Sequence, residues 1–390
     1  MALRVSGFHS MLHLKRGSSL AFLNNMLALK RRGHDVHAYS FLLDDWYRSA
    51  FEEVGIPATS LGHHQRELMG VHLILTNNMR ARGVFRRLRN EFRGSDVAYL
   101  HGNQWTPLAL PILDMPRAYY CDEPPRHYYE PDLVNVTARK RVGKAIGSLS
   151  RALDKRADRR AVVHADAVAT NSDYTRGYIK RVYGIEATTV YLGVDHEVFS
   201  PDPAVDRENM VLSVGALYPL KGHDFIIRSL ARIEPELRPR LVMVGRGAQQ
   251  EGLEELARTS GVRVEVVSEI DTPRLAGLYR RARLTVVAHV REPFGLVAIE
   301  SQSCGTPVVA VGEAGLMETV RPETGILTSR DETEFSAAVS KLLKDDEGRH
   351  EMGLKGREWV KEVYDWDRTG AGMEKVLERA VTAFGRKEGA

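Results

Sequence analysis

The chain has 390 residues, of which 43% are hydrophobic and 27% are charged, a composition typical of a soluble globular protein with two or three domains. It excludes a disordered chain, a collagen-like fibre and a coiled coil, and no run of residues reaches the roughly 20 apolar positions that a membrane-spanning helix needs. The polar N-terminus does not resemble a signal peptide, so we expect a cytoplasmic protein. The two cysteines, Cys121 and Cys304, are too few for a disulfide framework or a structural zinc site.

Positive charge is concentrated in the first half of the chain. Residues 1–200 contain 28 Lys and Arg against 20 Asp and Glu, whereas residues 201–390 contain 27 against 31. A basic half joined to a mildly acidic half predicts that one half faces an anionic partner. Nucleic acid, an anionic lipid surface and a phosphorylated small molecule all remain open on composition alone.

Short apolar runs alternate with amphipathic segments, a pattern that is typical of parallel α/β architecture. A helix is predicted over Leu20–Arg32 and should end at Gly33, a common helix stop. The predicted strands are Leu3–Ser6, Asp35–Ser40, Val97–His101, Arg117–Cys121 and Ala167–Thr170 in the first half, and Val211–Val214, Arg240–Val244, Val262–Val267, Leu284–Ala288 and Pro307–Val311 in the second.

A linker is predicted over His196–Asn209, because this segment has two prolines, four acidic residues and no apolar face to bury. The chain therefore reads as two doubly wound α/β domains, residues 1–195 and residues 210–365. Such sheets bind ligands at the carboxyl ends of their strands, and paired domains bind them in the cleft between.

The most informative segment is Arg291–Pro307, which follows a predicted strand. Glu292 lies in its loop, Gly295 precedes the predicted helix Leu296–Ser303, and Glu300 lies about one and a half turns into that helix. The start of such a helix offers free backbone N–H groups and a positive dipole end, which suit a phosphate. The two carboxylates suit hydroxyl groups on two different rings, although either glutamate alone would be read more simply as a solvated side chain.

The sequence EPFGLVAIE at 292–300 resembles the signature of retaining glycosyltransferases of family 4, which have the GT-B fold of two facing Rossmann-like domains with an interdomain cleft. The resemblance implies that Glu292 contacts the donor sugar and that Glu300 contacts the ribose of the nucleotide. It also implies that the backbone at Phe294, Gly295 and Leu296 holds the sugar and the phosphates.

Residues 214–222, VGALYPLKG, resemble the phosphate loop of this family, and Lys221 is expected to face the donor pyrophosphate as a point charge. The family usually has arginine where this chain has Ala216, so one cation of the phosphate clamp is missing. Arg246, in a second glycine turn, is a candidate contact to phosphate or base, with a solvated arginine as the alternative. Glu318 is expected to approach the nucleotide, with a helix-start carboxylate as the alternative.

The first domain is expected to carry the acceptor. His101 ends a predicted strand, and we expect its imidazole to face the cleft. Asp122 stands where the family usually has a histidine near the donor sugar; a carboxylate can accept a hydrogen bond from a hydroxyl group but cannot donate one. Together with Glu292, these two are the candidate catalytic residues, while Glu123 and Arg126 keep the family pattern on the acceptor side. The alternatives are a strand-end histidine bonded to backbone and an ordinary turn aspartate.

Gly17 occupies the place of the first glycine loop of the family, where backbone approaches the donor phosphate. Lys15 and Arg16 are hypothesised to assist there and to offset the missing arginine at Ala216. Near the C-terminus, the sequence YDW at 364–366 resembles the mark that precedes a last helix, residues 366–390, which crosses back onto the first domain.

Two arginine-rich segments lie in the first domain: Arg80–Arg93, with six Arg and one Glu, and Arg139–Arg160, with nine Lys and Arg and two Asp. In the first, Val84, Phe85 and Leu88 place apolar residues near a basic face, as in interfacial helices; an ordinary amphipathic helix is the alternative. Family relatives that act on lipid-linked or phosphorylated acceptors imply a peripheral position at the inner membrane face. Nucleic acid is not expected, because the basic stretches lack interleaved aromatic residues and no recognition module appears.

Taken together, the resemblance implies a retaining, metal-independent, hexosyltransferase-like glycosyltransferase. It would transfer a sugar from a UDP- or GDP-linked donor, which is a co-substrate, to a hydroxyl group of an acceptor glycan, lipid or small molecule. No cofactor is expected. A non-catalytic nucleotide- or sugar-binding module and a nucleotide-sugar epimerase or hydrolase on the same fold remain alternatives. The anionic partner of the basic half narrows to an anionic membrane surface or a phosphorylated acceptor.

Overall fold

The computed structural model describes residues 2–13, 17–62, 85–103, 105–131, 133, 141–268 and 270–388, with the backbone alone at 141–150 and 388. The chain divides into two compact units. The first unit comprises Met1–Tyr191 and Trp366–Ala390, and the second comprises Leu192–Asp365. None of the described helices is both long enough and apolar enough to cross a membrane.

The first unit is built on a seven-stranded sheet in which every neighbouring pair is parallel. The described strands are β1 (Arg4–His9), β2 (Met11–Leu12), β3 (Asp35–Ser40), β4 (Leu42–Leu43), β5 (Ala58–Ser60), β6 (Val97–His101), β7 (Arg117–Cys121), β8 (Ala167–Thr170) and β9 (Thr188–Thr189). The sheet order is β5-β3-β1-β6-β7-β8-β9, while β2 and β4 form a separate pair. The strand order reverses between β1 and β6, and doubly wound sheets bind ligands at such a point.

The first unit also contains α-helices. Those that precede the second unit are α1 (Gly17–Arg31), α2 (Asp45–Glu52), α3 (Arg126–Tyr129), α4 (Arg141–Val162) and α5 (Asp173–Tyr183). Helix α1 begins three residues before the predicted helix. It ends as predicted near Gly33, whose φ of 89° lies in the left-handed region that stops helices.

The second unit repeats the doubly wound plan with a six-stranded parallel sheet in the order β12-β11-β10-β13-β14-β15. Its strands are β10 (Glu208–Val214), β11 (Arg240–Val244), β12 (Val264–Val267), β13 (Ala282–Val287), β14 (Val308–Val311) and β15 (Gly325–Thr328). Its described helices are α6 (His223–Ala231), α7 (Gln250–Thr259), α8 (Thr272–Arg281), α9 (Leu296–Ser303), α10 (Leu316–Thr319), α11 (Glu332–Lys344) and α12 (Asp346–Val363). The reversal of strand order falls between β10 and β13.

The C-terminal helix α13 (Trp366–Glu388) belongs to the first unit. Glu374 accepts hydrogen bonds from Arg32 Nε at 2.9 Å and pairs with His34 Nε2 at 3.2 Å. Further along the helix, Lys387 donates to the buried carboxylate of Asp166 at 2.8 Å. Polar contacts at both ends therefore tie this helix to the body of the unit.

The structure confirms the predicted α/β class with two doubly wound domains, and differs from the sequence reading at particular elements. Strand β1 continues to His9, three residues beyond the predicted end, because Phe8 and His9 are buried within the unit. Residues 85–91 are helical, but Phe85 and Leu88 are fully buried in the core of the first unit. These apolar side chains are therefore not presented to a membrane, and the prediction of an interfacial helix is wrong for them. Val84 lies outside the described residues.

Residues 196–209, predicted as a linker, are packed onto the second unit. Phe199 is buried, and its ring contacts that of Tyr279 with centroids 6.0 Å apart. Arg280 donates to two carbonyl oxygens of the segment, at 2.6 and 2.8 Å, and Arg357 donates to the carbonyl oxygen of Phe199 at 2.8 Å. Hydrogen bonds from arginine side chains to the backbone hold the segment in place. The pattern of apolar residues in the sequence gives no sign of such bonds, which is why the segment was predicted to be a linker.

Candidate functional site

In the first unit, polar side chains gather where the strand order reverses. His9 ends β1, His101 ends β6, and Asp122 follows the last residue of β7. Ser18 lies in the first turn of α1, which follows β1 in the chain. Because the carboxyl ends of parallel strands meet at one edge of the sheet, these four residues come together at the position where doubly wound folds bind ligands. We refer to His9, Ser18, His101 and Asp122 as the Asp122 cluster.

Hydrogen bonds in this cluster converge on Asp122. Its carboxylate accepts from Ser18 Oγ at 2.5 Å and from His101 Nε2 at 3.0 Å. The other nitrogen of His101, Nδ1, lies 2.6 Å from the hydroxyl of Tyr99, and that hydroxyl oxygen accepts from Asn25 Nδ2 at 2.8 Å. Since Nδ2 of Asn25 can only donate, the Tyr99 hydroxyl keeps its own proton for Nδ1 of His101, which places an imidazole proton on Nε2, facing Asp122.

The same logic applies to His9 on the other side of the carboxylate. The backbone N–H of Met11 donates to His9 Nδ1 at 3.2 Å, so Nε2 carries the proton and donates to Ser18 Oγ at 3.1 Å. Burial, with a smaller contribution from the neighbouring His101, lowers the pKa of His9 to about 3. His9 is therefore uncharged at neutral pH, and it orients the Ser18 hydroxyl towards Asp122.

Asp122 is the ionised centre of its cluster. Burial acts to raise its pKa, but the imidazole of His101 and the hydrogen bond from Ser18 outweigh burial and leave the pKa below its ordinary value. The side chain of Asp122 is 14% exposed, whereas that of His101 is fully buried. His101, whose imidazole was expected to face the cleft, is fully buried behind Asp122 and supports its carboxylate.

The other candidates of the first unit lie close to this cluster in the chain. Gly17 opens α1, while Lys15 and Arg16 lie outside the described residues. Arg126, at the start of α3, donates through Nε to Glu123 at 2.7 Å. The two predicted acceptor-side residues therefore form an ion pair directly after Asp122.

A second buried carboxylate stabilises the segment that carries these residues. Asp158 on α4 is 2% exposed and accepts from the hydroxyl groups of Tyr129 on α3 and Tyr183 on α5, at 2.7 and 2.8 Å. Burial raises the pKa of Asp158 to about 6 in spite of these hydrogen bonds. The three helices are thereby joined at one carboxyl group.

In the second unit, the corresponding edge of the sheet carries a different set of groups. Lys221 lies in a short 3₁₀ turn after β10, and Glu292 lies in the loop after β13, the neighbouring strand. Glu292 Oε2 is 2.8 Å from Lys221 Nζ and 2.8 Å from His289 Nδ1. His289 Nε2 is in turn 3.2 Å from the carbonyl oxygen of Val214. We refer to Lys221, His289 and Glu292 as the Glu292 cluster.

The charge of Glu292 is compensated by its partners. Burial acts to raise its pKa, but Lys221 and His289 outweigh burial and hold the pKa well below its ordinary value. Burial, followed by the positive charge of Lys221, lowers the pKa of His289. Gly215 makes the arrangement possible, because a Cβ atom there would lie 3.2 Å from His289 Nε2 and 3.3 Å from the Lys221 side chain.

The loop that carries Glu292 is braced from two sides. Arg330 donates to the carbonyl oxygens of Ala288 and His289, at 3.0 and 3.2 Å, and pairs with both carboxylate oxygens of Glu313. The backbone N–H of Gly315 donates to the carbonyl oxygen of Glu292 at 2.8 Å. These contacts hold the loop in a conformation in which Arg291 has a positive φ of 48°.

The N-terminus of α9 points its backbone N–H groups out of the helix without a side-chain cap. Gly295, with φ of 109°, precedes the helix and lies where a Cβ atom would be 2.7 Å from Thr319 Oγ1. Phe294 is buried and packs on Tyr364 with ring centroids 5.6 Å apart. Only the backbone of Phe294 is therefore available to a ligand, beside that of Gly295 and Leu296.

Glu300 lies farther along the same helix and is a separate site. Its Oε2 accepts from the hydroxyl of the fully buried Tyr279 at 2.9 Å. Burial raises the pKa of Glu300 to about 7, and the Tyr279 hydrogen bond offsets part of that effect. Unlike Glu292, Glu300 therefore changes its protonation near neutral pH.

Two further candidates contribute backbone contacts. The carbonyl oxygen of Arg246 accepts from the Leu217 N–H at 3.1 Å, and the carbonyl oxygen of Glu318 accepts from the Tyr364 hydroxyl at 2.5 Å. Among the described residues there is no group of three or more His, Cys, Asp or Glu side chains that could hold a metal ion. Both cysteines are buried free thiols.

Sequence reasoning missed four side chains that the structure brings into these sites. His9 was overlooked because β1 was predicted to end at Ser6, which left His9 in a loop. His289 follows β13 by two residues, and the strand-end criterion that selected His101 would have found it. Ser18 and Tyr279 carry no local signal, since each acquires its role through a contact with a residue at least 20 positions away.

The two parallel sheets, each with polar groups at its strand-order reversal, define a double Rossmann-like protein of the GT-B class. The family model for Glycosyltransferase Family 4 matches residues 17–198, and the model for glycosyl transferases group 1 matches residues 195–359. The chain belongs to this family of GT-B glycosyltransferases.

Curated relatives match a little over half of the chain. A D-inositol 3-phosphate glycosyltransferase of Catenulispora acidiphila is 35% identical over 245 residues, which is 56% of this chain and 57% of that protein. One from Kribbella flavida is 36% identical over 238 residues, 54% of this chain and 56% of that protein. The match thus spans little more than half the length of these relatives.

Solved structures match nearly the whole chain. Sucrose-phosphate synthase from Thermosynechococcus elongatus has a TM-score of 0.77 at 20% identity, covering 98% of this chain and 100% of that one. HepE of Anabaena, in complex with UDP and glucose, has a TM-score of 0.75 at 16% identity, covering 96% and 99%. At these identities the likeness establishes the fold alone.

Proposed function

We propose that this protein transfers a sugar from a nucleotide diphosphate sugar to an acceptor hydroxyl group, with retention of the anomeric configuration. The observation that supports this most directly is the Glu292 cluster in the loop that leads into the uncapped N-terminus of α9. A cation, a carboxylate and free backbone N–H groups match the diphosphate and the sugar hydroxyl groups of such a donor.

In this proposal the polar groups of the second unit bind different parts of the sugar donor. Lys221 and the first N–H groups of α9 bind the diphosphate, Oε1 of Glu292 accepts from a sugar hydroxyl, and Glu300 accepts from the ribose. Lys221 and the N–H groups supply positive charge where negative charge develops on the leaving diphosphate, and we propose that the reaction needs no metal ion and no cofactor.

The proposed reaction exchanges one bond at the anomeric carbon for another on the same face. The bond from that carbon to the diphosphate oxygen breaks, and its electron pair leaves with the diphosphate. The acceptor oxygen forms the new bond, and its proton passes to a diphosphate oxygen, so that no protein nucleophile takes part. Stabilisation of the leaving diphosphate by preorganised charge is then the largest catalytic effect.

The proposed acceptor is a phosphorylated compound rich in hydroxyl groups. Asp122 is an ionised hydrogen-bond acceptor whose protein partners are all donors, which suits a neutral hydroxyl group. The excess of positive charge in residues 1–200 suits a phosphate. The relatives named as D-inositol 3-phosphate glycosyltransferases act on such a compound, and HepE binds UDP, which makes inositol 3-phosphate and UDP-sugars the first compounds to test.

The test is a transfer assay with UDP- and GDP-hexoses, with and without inositol 3-phosphate. We expect acceptor-dependent release of the nucleoside diphosphate, and NMR of the product should show the anomeric configuration of the donor. Product of the opposite configuration would contradict retention, and release that is independent of any acceptor would indicate a hydrolase or epimerase instead.

The second candidate function is a non-catalytic nucleotide- or sugar-binding module. It is favoured by Ala216, which occupies the usual place of a phosphate-binding arginine, and by Asp122, which replaces a histidine. A thermal-shift screen with UDP, GDP, ADP and their sugars would show stabilisation for either function, because a ligand bound by the native state raises its stability. Stabilisation without diphosphate release over a panel of acceptors would indicate the binding module.

We further propose a cytoplasmic protein that binds peripherally to anionic membrane. Since Phe85 and Leu88 are buried, the attraction would be electrostatic and would come from exposed cations such as Arg86, Arg87 and Arg93. Binding to vesicles that contain phosphatidylserine should then fall steeply as salt is raised. Absence of binding at low salt would instead support a soluble phosphorylated acceptor as the anionic partner.

A further inference from the structure

His289 faces three polar groups at once. Its Nδ1 lies 2.8 Å from Glu292 Oε2 and 3.3 Å from Lys221 Nζ, and its Nε2 lies 3.2 Å from the carbonyl oxygen of Val214. A proton on Nε2 alone turns the lone pair of Nδ1 towards the carboxylate, and a proton on Nδ1 alone turns the lone pair of Nε2 towards the carbonyl oxygen. Only the doubly protonated imidazolium donates to both oxygens.

Two effects oppose that protonation in the unliganded protein. The side chain of His289 is 4% exposed, and burial disfavours the charged form. The ammonium group of Lys221, next to the same nitrogen, acts in the same direction, whereas the carboxylate of Glu292 acts against it. Burial is permanent, but the charge of Lys221 can be neutralised, because an anionic ligand can pair with it.

We infer that His289 is a positioning residue that holds the carboxylate of Glu292 while Lys221 engages an anionic ligand, and that His289 takes up a proton from solvent when this ligand binds to Lys221. The proposed function supplies the identity of the anion, the diphosphate of the sugar donor, and the inference rests on it for that point alone. Without His289, Glu292 would lose its remaining partner as Lys221 turned to the phosphates, and a buried carboxylate without a partner is strongly disfavoured.

Besides Lys221 and Glu292, the ionisable side chains of His223 and Arg330 lie near His289. His223 on α6 donates through Nε2 to the Gly215 carbonyl oxygen and accepts at Nδ1 from the Ser213 hydroxyl, and burial lowers its pKa to about 4, so it stays uncharged. Arg330 donates to the carbonyl oxygen of His289, and its charge is paired with Glu313. Lys221 therefore lies next to the His289 imidazole as a cation whose charge can be neutralised by an anionic ligand.

The sign of the linkage follows from these contacts. A ligand that neutralises Lys221 raises the pKa of His289, so binding is accompanied by proton uptake in the pH range between the free and bound values. Affinity for the anion should accordingly increase as pH falls into that range.

The test replaces the effect of the anion by a mutation, so that it needs no ligand. Histidine labelled with ¹³C at Cε1 is incorporated into the full chain, and the His289 signal is identified by its loss in His289→Gln. We expect this signal to titrate below the ordinary histidine range in the unaltered chain, and at least about one pH unit higher in Lys221→Met, where the carboxylate acts unopposed. Lys221→Gln provides the same measurement should the methionine variant fail to fold.

Control variants separate this mechanism from a general disturbance. Lys341→Met, at an exposed position of α11, should leave the titration unchanged, and adding Glu292→Gln to Lys221→Met should bring the midpoint back down. An unchanged or lower midpoint in both Lys221 variants would overturn the inference. Since no nucleotide is present, that result is distinct from a failure to transfer sugar.

The positioning role has its own readout in the transfer assay. His289→Gln should lower kcat about tenfold while the KM for the sugar donor changes less than about threefold, because the interaction with Glu292 matters most after Lys221 has engaged the phosphates. The pH dependence of donor affinity should also lose its increase towards acid pH. A variant with unchanged kcat would contradict the positioning role.

Discussion

The two units place a carboxylate at the same point of the same fold and hold it in opposite ways. Asp122 receives hydrogen bonds from the imidazole of His101 and the hydroxyl group of Ser18, whereas Glu292 is bound by the ammonium group of Lys221 and by His289. Among the described residues Asp122 forms no ion pair with a lysine or arginine, while the charge of Glu292 is compensated by Lys221. The comparison suggests that the first unit is suited to accept hydrogen bonds from neutral hydroxyl groups. In the second unit, it suggests that an anionic ligand can replace Glu292 as the partner of Lys221.

The difference arises from which residues follow the strands that flank the reversal of strand order. In the first unit β1 and β6 end in histidines, and the donor Ser18 arrives on the next helix. In the second unit β10 is followed by Gly215, which leaves room for Lys221 and for His289 from the neighbouring strand. One topology therefore supports a carboxylate held by a histidine and a hydroxyl group and a carboxylate held by a lysine and a histidine.

The largest effect should come from removing the cation of the second unit. Lys221→Met is expected to reduce the rate of sugar transfer by about 10² to 10³, because the charge that stabilises the departing diphosphate is lost. Release of the nucleoside diphosphate measures this directly, and Lys341→Met serves as a control in the same unit. A reduction below about threefold would show that Lys221 does not meet the developing charge.

Asp122→Asn tests the first unit with a nearly isosteric change. Both protein donors, Ser18 and His101, face carboxylate oxygens, and an amide can accept at only one position, so one buried donor loses its partner at a cost of about 1–3 kcal/mol in unfolding free energy. We expect transfer to fall roughly 10- to 100-fold, with the affinity for UDP unchanged.

Isothermal titration with UDP and urea denaturation separate these two expectations. Ser18→Ala removes one of the same donors but leaves the charge of the carboxylate, and should reduce transfer less. Weakened UDP binding in Asp122→Asn would mean that Asp122 serves the nucleotide rather than the acceptor.

Sequence reasoning predicted the sheets from periodicity and singled out Lys221, Glu292 and Glu300 from short motifs, because both kinds of signal are local properties of the chain. It failed where the role of a residue depends on a distant partner. Nothing near His101 points to Asn25, which donates to the Tyr99 hydroxyl from 74 positions away, and nothing near Glu300 points to Tyr279, 21 positions away. The exposure of a side chain is set by packing of this kind, and His101, whose imidazole was expected to face the cleft, is fully buried.

Glu300 differs from both Asp122 and Glu292 because its pKa is raised, to about 7, rather than lowered. If the ionised form accepts from the ribose, UDP affinity should increase up to about tenfold between about pH 6 and about pH 8. Glu300→Gln should abolish this pH dependence. Subtracting the pH profile of UDP affinity in Glu300→Gln also removes the contribution from ionisation of UDP itself. Tyr279→Phe should move the midpoint upward, because it removes a hydrogen bond that favours the charged carboxylate.

The smallest effect concerns Asp158, a second buried carboxylate of the first unit, whose pKa no cation among the described residues lowers. A carboxyl group whose pKa rises to about 6 on folding binds its proton more tightly in the folded state, so it stabilises the unit at acid pH and that contribution is lost as pH rises through about 6. Asp122, whose pKa is lowered, contributes the opposite slope and only at lower pH. Urea denaturation at about pH 5 and about pH 7.5 should therefore show a smaller loss of stability with rising pH in Asp158→Asn than in the unaltered chain. Glu300 in the second unit also makes the unfolding free energy fall as pH rises. If Asp158→Asn loses as much stability between the two pH values as the unaltered chain, the whole effect belongs to Glu300, and Asp158 is ionised in the folded protein.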